Sequence, residues 1–246
     1  MSVAFQNFDY SYLRDGKPVF APSALGRKIG EDIKAKVEAA HPFDRFVYHL
    51  RANGGHVAAL HRHRPHLYFA RVDIRRFFYS IARNRVRRAL CGIGIPRAIH
   101  YAKWSCVKNP YGEGYVLPYG FVQSPILATL VLMESGVGTL LRQLDAEGVV
   151  TVSVYMDDIT LSSDDLGSLE AAFQALSQSL SEANFEVSPD KVRAPTPAMD
   201  VFNCDLQQGK SNVQAERIER FEAEPRSDAS ADAFADYCLS VEDGNV

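Results

Sequence analysis

The stretch VSVYMDDITLSS, Val152 to Ser163, constrains the fold more than any other part of the chain. Val152, Val154 and Met156 alternate with smaller or polar residues, and Ile159 and Leu161 do the same on the far side. Period-two alternation on both flanks of a short polar break predicts two β-strands joined by a tight hairpin. Asp157 and Asp158 then sit at its tip. Aspartate suits a turn because its carboxylate caps nearby amides, so a solvated turn is one explanation of the pair. The other is a hard-cation site, since two carboxylates held at one point repel each other unless a divalent ion lies between them.

The charge distribution bears on that choice. The net charge of −3 over 246 residues conceals a basic block: from Arg51 to Lys108 there are 13 Lys and Arg against one acid, Asp73. That segment carries +12 and the other 188 residues sum to −15; five of the seven histidines also lie in the block. Such a block inside an acidic protein suggests a polyanion partner, the alternative being a solvated basic face balanced by acidic neighbours. The tail from Gln214 is biased the other way, with nine acids against three arginines.

Composition excludes several classes. At 46% hydrophobic and 23% charged the chain is ordinary globular material, long enough for one large domain or two small ones. No run of about 18 apolar residues is present, so no transmembrane helix and no membrane partner are expected. The start, MSVAFQNFDYSYLRDGK, lacks a basic end followed by an apolar stretch, so it does not read as a secretory signal. Cysteines at 91, 106, 204 and 238 show no CxxC or Cys/His ligand spacing, which predicts neither zinc nor a disulfide framework. A cytoplasmic protein with incidental thiols is the expectation.

Along the chain, Gly30 to Ala40 reads as a helix and HRHRPH at 61–66 as a polar loop. LYFARVDI at 67–74 reads as a strand ending near Asp73. Ser80 is a candidate cap for a short helix, IARNRVRRAL, with a wide arginine face. NPYGEGYVLPYG at 109–120 is loop and hairpin material. Ser124-Pro125 predicts an N-cap with proline at the first helical position, followed by one buried helix, ILATLVLMESGVGTLLRQL. After the ribbon, Asp164 or Asp165 can cap an amphipathic helix through Leu166, Leu169, Phe173, Leu176 and Leu180. MDVFNCDL at 199–206 reads as a further strand. The order strand, helix, helix, ribbon, helix, strand suits an α+β fold: an antiparallel sheet with helices packed on one face.

If the strand ending at Asp73 lies beside the ribbon, three carboxylates gather at one sheet edge. Two or three carboxylates suffice for Mg²⁺, which keeps waters and substrate phosphates in its shell. Two such ions about 3.5–4 Å apart stabilise both the attacking and the leaving oxygen of a phosphoryl transfer, with the basic block holding a nucleic-acid backbone beside them. The bland alternative for Asp73 is a charge that balances Arg71, Arg75 and Arg76.

DIRRFFYSI at 73–81, GFVQSPILA at 120–128 and YMDDI at 155–159, in that order and spacing, resemble the successive palm motifs of reverse transcriptases. VSPDKV at 187–192 and VFNCDL at 201–206 resemble the two motifs that usually follow. The resemblance covers Leu67 to Leu206 and is nearest to bacterial retron-like and defence-associated enzymes, not the retroviral ones.

It implies a polymerase right-hand palm at 67–206 with small helical fingers elements within 80–118. It also implies an N-terminal region and fingers at 1–66 and a short acidic C-terminal region at 207–246 with a reduced or absent thumb. Asp73, Asp157 and Asp158 are the implied catalytic carboxylates. Asp73 and Asp157 would bind two Mg²⁺ ions, and Asp158 would lie closer to the ribbon. Phe78 matches the gate under the sugar, where a bulky ring excludes a 2′-hydroxyl; plain core packing is its alternative. Gly120 would allow close backbone approach to template or incoming base, with Gln123 beside it. Lys191 matches the lysine near the leaving phosphates, or is simply exposed. Arg62 and Arg64 sit where fingers meet triphosphate. Phe202 and Asn203 fall in the primer-gripping segment, and Arg75, Arg76 and Arg85 in the nucleic-acid-binding surface.

One departure is Pro118-Tyr119-Gly120 where many relatives have Pro-Gln-Gly. The implied function is an RNA-directed DNA polymerase using deoxynucleoside triphosphates and an RNA template to make DNA. A noncoding RNA, a partner subunit or self-assembly is expected to supply processivity, in a setting of antiviral defence. Two alternatives stay open: a template-independent or protein-primed DNA polymerase, and a catalytically silent palm-like subunit that binds RNA.

Overall fold

The computed structural model describes residues 5–246. The chain begins with β1 (Phe8–Arg14), β2 (Lys17–Pro22), α1 (Ala24–Ala40), α2 (His56–His63) and β3 (Tyr68–Asp73). Then come α3 (Arg83–Gly92), α4 (Ala98–Trp104), β4 (Val107–Lys108), β5 (Tyr115–Val116), α5 (Ser124–Met133) and α6 (Gly136–Glu147). The ribbon β6 (Thr151–Tyr155) and β7 (Asp158–Ser163) follows, with α7 (Leu166–Glu182) and β8 (Arg193–Thr196) after it. β9 (Ala198–Val201), β10 (Cys204–Gln207), β11 (Lys210–Val213), α8 (Ala215–Glu222) and α9 (Asp228–Glu242) complete the chain. These elements form two compact units. The first comprises Met1–Phe43, Ile74–Thr139 and Leu180–Glu186, and the second Asp44–Asp73, Leu140–Ser179 and Val187–Val246.

The second unit is built on an antiparallel sheet in the order β6-β7-β3-β8. Alternation decides its two faces. Ala70, Val72, Ile159, Leu161, Val152 and Val154 form one apolar face, all buried. Asp73, Arg71, Asp158, Thr160, Ser162, Ser153 and Tyr155 form the other, polar one. α2 closes over that polar face through His63, whose Nδ1 and Nε2 lie 2.7 Å from the hydroxyls of Ser162 and Ser153. A neutral imidazole donates at one nitrogen and accepts at the other, and burial pushes its pKa down to about 3. Beside this sheet, β9, β10 and β11 form an antiparallel meander whose Met199, Val201, Cys204, Leu206 and Val213 pack with Leu60, Phe69 and Val241.

The first unit holds the β1–β2 ribbon, α1, and α3 to α5. Phe20, Tyr79, Val107, Val116 and Phe121 form a small core there, with Phe8 and Tyr119 packed against it.

Several elements differ from the sequence reading. The first helix starts at Ala24, not Gly30, because Ser23 caps it by accepting from the Gly26 amide at 3.1 Å. HRHRPH is not a loop throughout: 61–63 end α2, whose Val57, Leu60 and His63 share an inward face masked by the polar composition around them. Ser80 does not cap α3; its hydroxyl donates to the Phe77 carbonyl at 2.7 Å and the helix begins at Arg83. Ser124 does not cap α5 either, for it lies inside the first turn behind Gln123, its hydroxyl buried and without a hydrogen-bond partner among the described residues.

The expected single buried helix is two, α5 and α6, bent by 74°. A Cβ on Gly138 would stand 2.0 Å from the Met133 carbonyl oxygen, so glycine permits the corner. The Ser135 hydroxyl ties it by donating to the Leu132 carbonyl at 2.6 Å. Among the described residues no single helix is long and apolar enough to cross a membrane. MDVFNCDL, read as one strand, is a hairpin: Phe202 and Asn203 both adopt positive φ, 56° and 59°, and fold β10 back on β9.

Candidate active site

The strand register assembles the acids. Asp73, the last residue of β3, is the cross-strand partner of Asp158, the first of β7. Tyr155 also pairs with Asp158, so Met156 and Asp157 form a two-residue turn at the same sheet edge. Asp73 is 2% exposed. Its backbone carbonyl accepts from the Ser188 amide at 2.8 Å, and the Ser188 hydroxyl donates to its Oδ1. Lys191 Nζ donates to its Oδ2 at 2.6 Å. Burial works against the Lys191 charge, but the hydrogen bond to Asp73 and the charges of Asp73, Asp157 and Asp158 raise its pKa.

Asp158 has a different cation. Arg71, two residues before Asp73 and on the same face, donates from Nε at 2.7 Å and from Nη2 at 2.6 Å to Asp158 Oδ1. Arg71 also reaches Asp200 Oδ2 at 3.5 Å, and Arg193 Nε donates to Asp200 Oδ1 at 2.8 Å. Burial raises the Asp158 pKa, with Arg71 opposing. The Asp157 pKa is pushed up to about 6, first by burial and then by the charges of Asp158 and Asp73. Among the described residues, no three His, Cys, Asp or Glu side chains are arranged to hold one ion. Asp73 and Asp158 turn to Lys191 and Arg71 instead. The donor set nonetheless consists of hard carboxylate oxygens under mutual repulsion, which suits a divalent cation such as Mg²⁺.

Other sequence-predicted residues of the second unit lie as follows. Arg62 is exposed. Arg64 donates to the Asp243 carbonyl at 2.7 Å and to Asn245 Oδ1 at 3.0 Å, so its guanidinium is spent on the C-terminal segment. Phe202 packs edge-on against Tyr155 at 5.4 Å. With Asn203, Arg217, Phe234 and Tyr237, these two rings line a cavity of about 540 Å³.

The first unit holds the remainder. Phe78 is 7% exposed in a short 3₁₀ turn, Phe78–Ser80, against the Tyr119 ring at 4.7 Å. Gly120 has φ +98°, and a Cβ there would lie 2.2 Å from the Phe20 carbonyl oxygen. Its close backbone approach is thus made to β2, which Tyr119 also bonds by accepting from the Phe20 amide at 2.9 Å. Gln123 is buried, with Nε2 donating to the Ser105 hydroxyl at 3.4 Å. Arg75 pairs with Glu186 at 3.6 Å. Arg76 stacks on Tyr111 at 4.0 Å and Arg85 on Phe185 at 4.2 Å.

Sequence reading missed Arg71 as the partner of Asp158, although the i, i+2 spacing from Asp73 put both on one face. It missed Asp200 and Arg193, and Ser188, which no local pattern marks. It also missed that β1 is exposed on both faces from Asp9 to Arg14, Leu13 included at 73%.

Among curated proteins none matches this chain. Two foamy virus structures are similar. One is the protease-reverse transcriptase in complex with RNA/DNA hybrid, 19% identical with a TM-score of 0.49, covering 70% of this chain and 21% of that one. The other is the dRH form of that protein in complex with double-stranded DNA, 17% identical with a TM-score of 0.52, covering 89% of this chain and 32% of that one. This chain therefore spans between a fifth and a third of their length, and the second likeness is one of fold: mixed helix and antiparallel sheet of the polymerase right-hand kind. The family profile described as reverse transcriptase (RNA-dependent DNA polymerase) matches residues 15–216, well over half of the chain, and the chain belongs to that family.

Proposed function

We propose that this chain is an RNA-directed DNA polymerase, a nucleotidyltransferase that extends a primer with deoxynucleotides by copying RNA. The observation that carries the reading is the pairing of Asp73 with Asp158 beside the Asp157 turn, within a chain of this family. Reverse transcriptases generally use divalent metal ions. Asp73 and Asp157 would hold two Mg²⁺, with Asp158 kept on the ribbon by Arg71. Ions so held would neutralise charge on the attacking and leaving oxygens of the transfer. In the reaction the primer 3′-oxygen forms a bond to the α-phosphorus of the incoming deoxynucleoside triphosphate, pyrophosphate leaves, and the hydroxyl proton passes to solvent.

The chain's own residues have defined parts. Lys191, half exposed, pairs with Asp73 and would supply positive charge to the departing phosphates once that carboxylate is engaged by a metal. Phe78 excludes a 2′-hydroxyl beside the sugar. Gly120 and Gln123 shape the nucleotide side of the first unit from behind, through the contacts they make there. Arg62 is the arginine available to triphosphate, since Arg64 is engaged elsewhere. Phe202 and Asn203 hold the primer end, and Arg75, Arg76 and Arg85 the nucleic-acid backbone. A cytoplasmic setting agrees with four free thiols. The retron-like motif set adds a noncoding RNA, a partner subunit or further copies of the chain, in antiviral defence.

The test is primer extension by the purified protein on defined RNA templates with Mg²⁺, with the product sequenced. Template-complementary DNA is the expected result. Loss of metal-held charge stabilisation costs several kcal/mol. At about 1.36 kcal/mol per decade, Asp157→Asn should therefore lower the rate by roughly 10³-fold. Equal incorporation by Asp157→Asn, or none by the wild type on any template, would end the enzymatic reading. Product unrelated to the template would replace it with untemplated synthesis.

A further inference from the structure

The turn that carries Asp157 has an anchor outside its own two strands. Met156 adopts φ +58°, a left-handed conformation that costs a non-glycine residue about 1–2 kcal/mol. The Met156 amide, on which that φ pivots the following Asp157, donates to His49 Nδ1 at 3.1 Å. The imidazole also lies edge-on to Tyr155, with ring centroids 5.7 Å apart. Its origin is fixed by main-chain pairing along the outer edge of β6. The Val154 amide donates to the Phe46 carbonyl at 2.8 Å, and the Tyr48 amide donates to the Val154 carbonyl at 2.9 Å. Burial pushes the His49 pKa down to about 4 against a backbone hydrogen bond to Val154, so the ring is neutral at physiological pH and carries one lone pair, which the Met156 N–H directed at Nδ1 assigns to that nitrogen.

We propose that His49 is a positioning residue for the polymerase reaction: its Nδ1 holds the left-handed Met156 amide and so fixes where the Asp157 and Asp158 carboxylates point. An unanchored turn would exchange left-handed for right-handed backbone at Met156. Such a change swings the next residue, and with it the carboxylate of Asp157. The catalytic consequence rests on the function proposed above; the anchor itself does not.

Atom placement provides the test. Asparagine carries Oδ1 where histidine carries Nδ1, one bond beyond Cγ. Glutamine places its oxygen nearer to Nε2, and leucine has no acceptor. The wild type, His49→Asn, His49→Gln and His49→Leu are compared by hydrogen exchange at the Met156 amide and by primer extension with kcat and KM separated. Positioning predicts that Asn keeps Met156 protection and stays within a few-fold of wild-type kcat. Gln and Leu lose the protection and drop kcat about 10²-fold with KM for the deoxynucleotide little changed. A packing role predicts the reverse order, since Gln and Leu better fill the volume of the ring. Equal Met156 protection in all four proteins, or loss of kcat that follows thermal stability instead of the acceptor position, overturns the proposal. A wild type without activity would end the polymerase reading alone, and the exchange data would still decide the anchor.

Discussion

The turn at Met156–Asp157 and the turn at Phe202–Asn203 both join antiparallel strands through two residues, and both use left-handed backbone without glycine. They are held by different means. The first is fixed through side-chain polar contacts: His49 on its amide, Arg71 on Asp158, and His63 bridging the Ser153 and Ser162 hydroxyls behind it. The second combines ring packing with bonds to its backbone carbonyls. Phe202 leans on Tyr155 and, at 6.0 Å, on His56, while Val201 and Cys204 flank the turn from the meander core. The Asn203 carbonyl accepts from the Gln214 amide at 3.0 Å and the Phe202 carbonyl from Cys204 Sγ at 3.6 Å. A turn that must hold carboxylates in a set direction needs directional bonds to its side chains. A turn that offers an aromatic ring to a cavity needs its backbone pinned and the ring packed.

The largest effect that would sharpen this contrast is at Arg71. Removing it strands Asp158 without its cation in a buried site, so Arg71→Met should cost about 3–5 kcal/mol in urea unfolding. Asp158→Asn added to Arg71→Met should recover much of that loss. A loss below about 1 kcal/mol would mean that polar contacts do not hold the first hairpin.

The next comparison is direct. Glycine relieves a left-handed residue but gives up its side chain. Met156→Gly should leave stability within about 1 kcal/mol, because relief and lost packing nearly offset. Phe202→Gly should lose about 2 kcal/mol, because there the ring is the support. Equal losses in thermal unfolding would erase the distinction.

The smallest effect is in pH. The folded pKa of His63, about 3, lies below its ordinary 6.5, so the unfolded chain binds the proton first as pH falls. His63 therefore contributes stability that is complete above pH 6.5 and is lost as pH falls toward 3, by at most about 1.4 kcal/mol per pH unit. His49, at about 4, acts in the same direction. Asp157, raised to about 6, acts in the opposite one between pH 6 and 3.8. Between pH 6.5 and 5.5 the net result is a loss of about 1 kcal/mol. Hydrogen exchange should quicken in β6 and β7 before it does in β9 and β10, and His63→Asn should reduce the slope. Equal acceleration in both hairpins would break the comparison.

Much of the first hairpin was legible in the sequence. Alternation on both flanks of Asp157-Asp158 fixed the strands, and the single acid of the basic block marked Asp73. The second hairpin was less legible, because the apolar positions Phe202, Cys204 and Leu206 alternate straight through the turn and Phe202 is no turn residue; Asn203, which tolerates left-handed backbone, was its one local signal. The bend between α5 and α6 was hidden for a related reason. Both sides are apolar, and the corner depends on Gly138 having no Cβ in the path of a carbonyl, which is a contact and not a pattern.

By itself, the sequence determined the strand–turn–strand ribbon, the order of the motifs and the three acids, since each follows from local periodicity and residue chemistry. Only the tertiary structure decided which cation each acid meets. Lys191 reaches Asp73 across 118 positions of sequence, and Arg71 reaches Asp158 across 87. It also decided which internal contacts Gln123, Gly120 and Arg64 make: with the Ser105 hydroxyl, the Phe20 backbone and the Asp243 carbonyl. Those choices depend on which side chains the packed core brings within about 3 Å of one another, a distance that no one-dimensional spacing encodes.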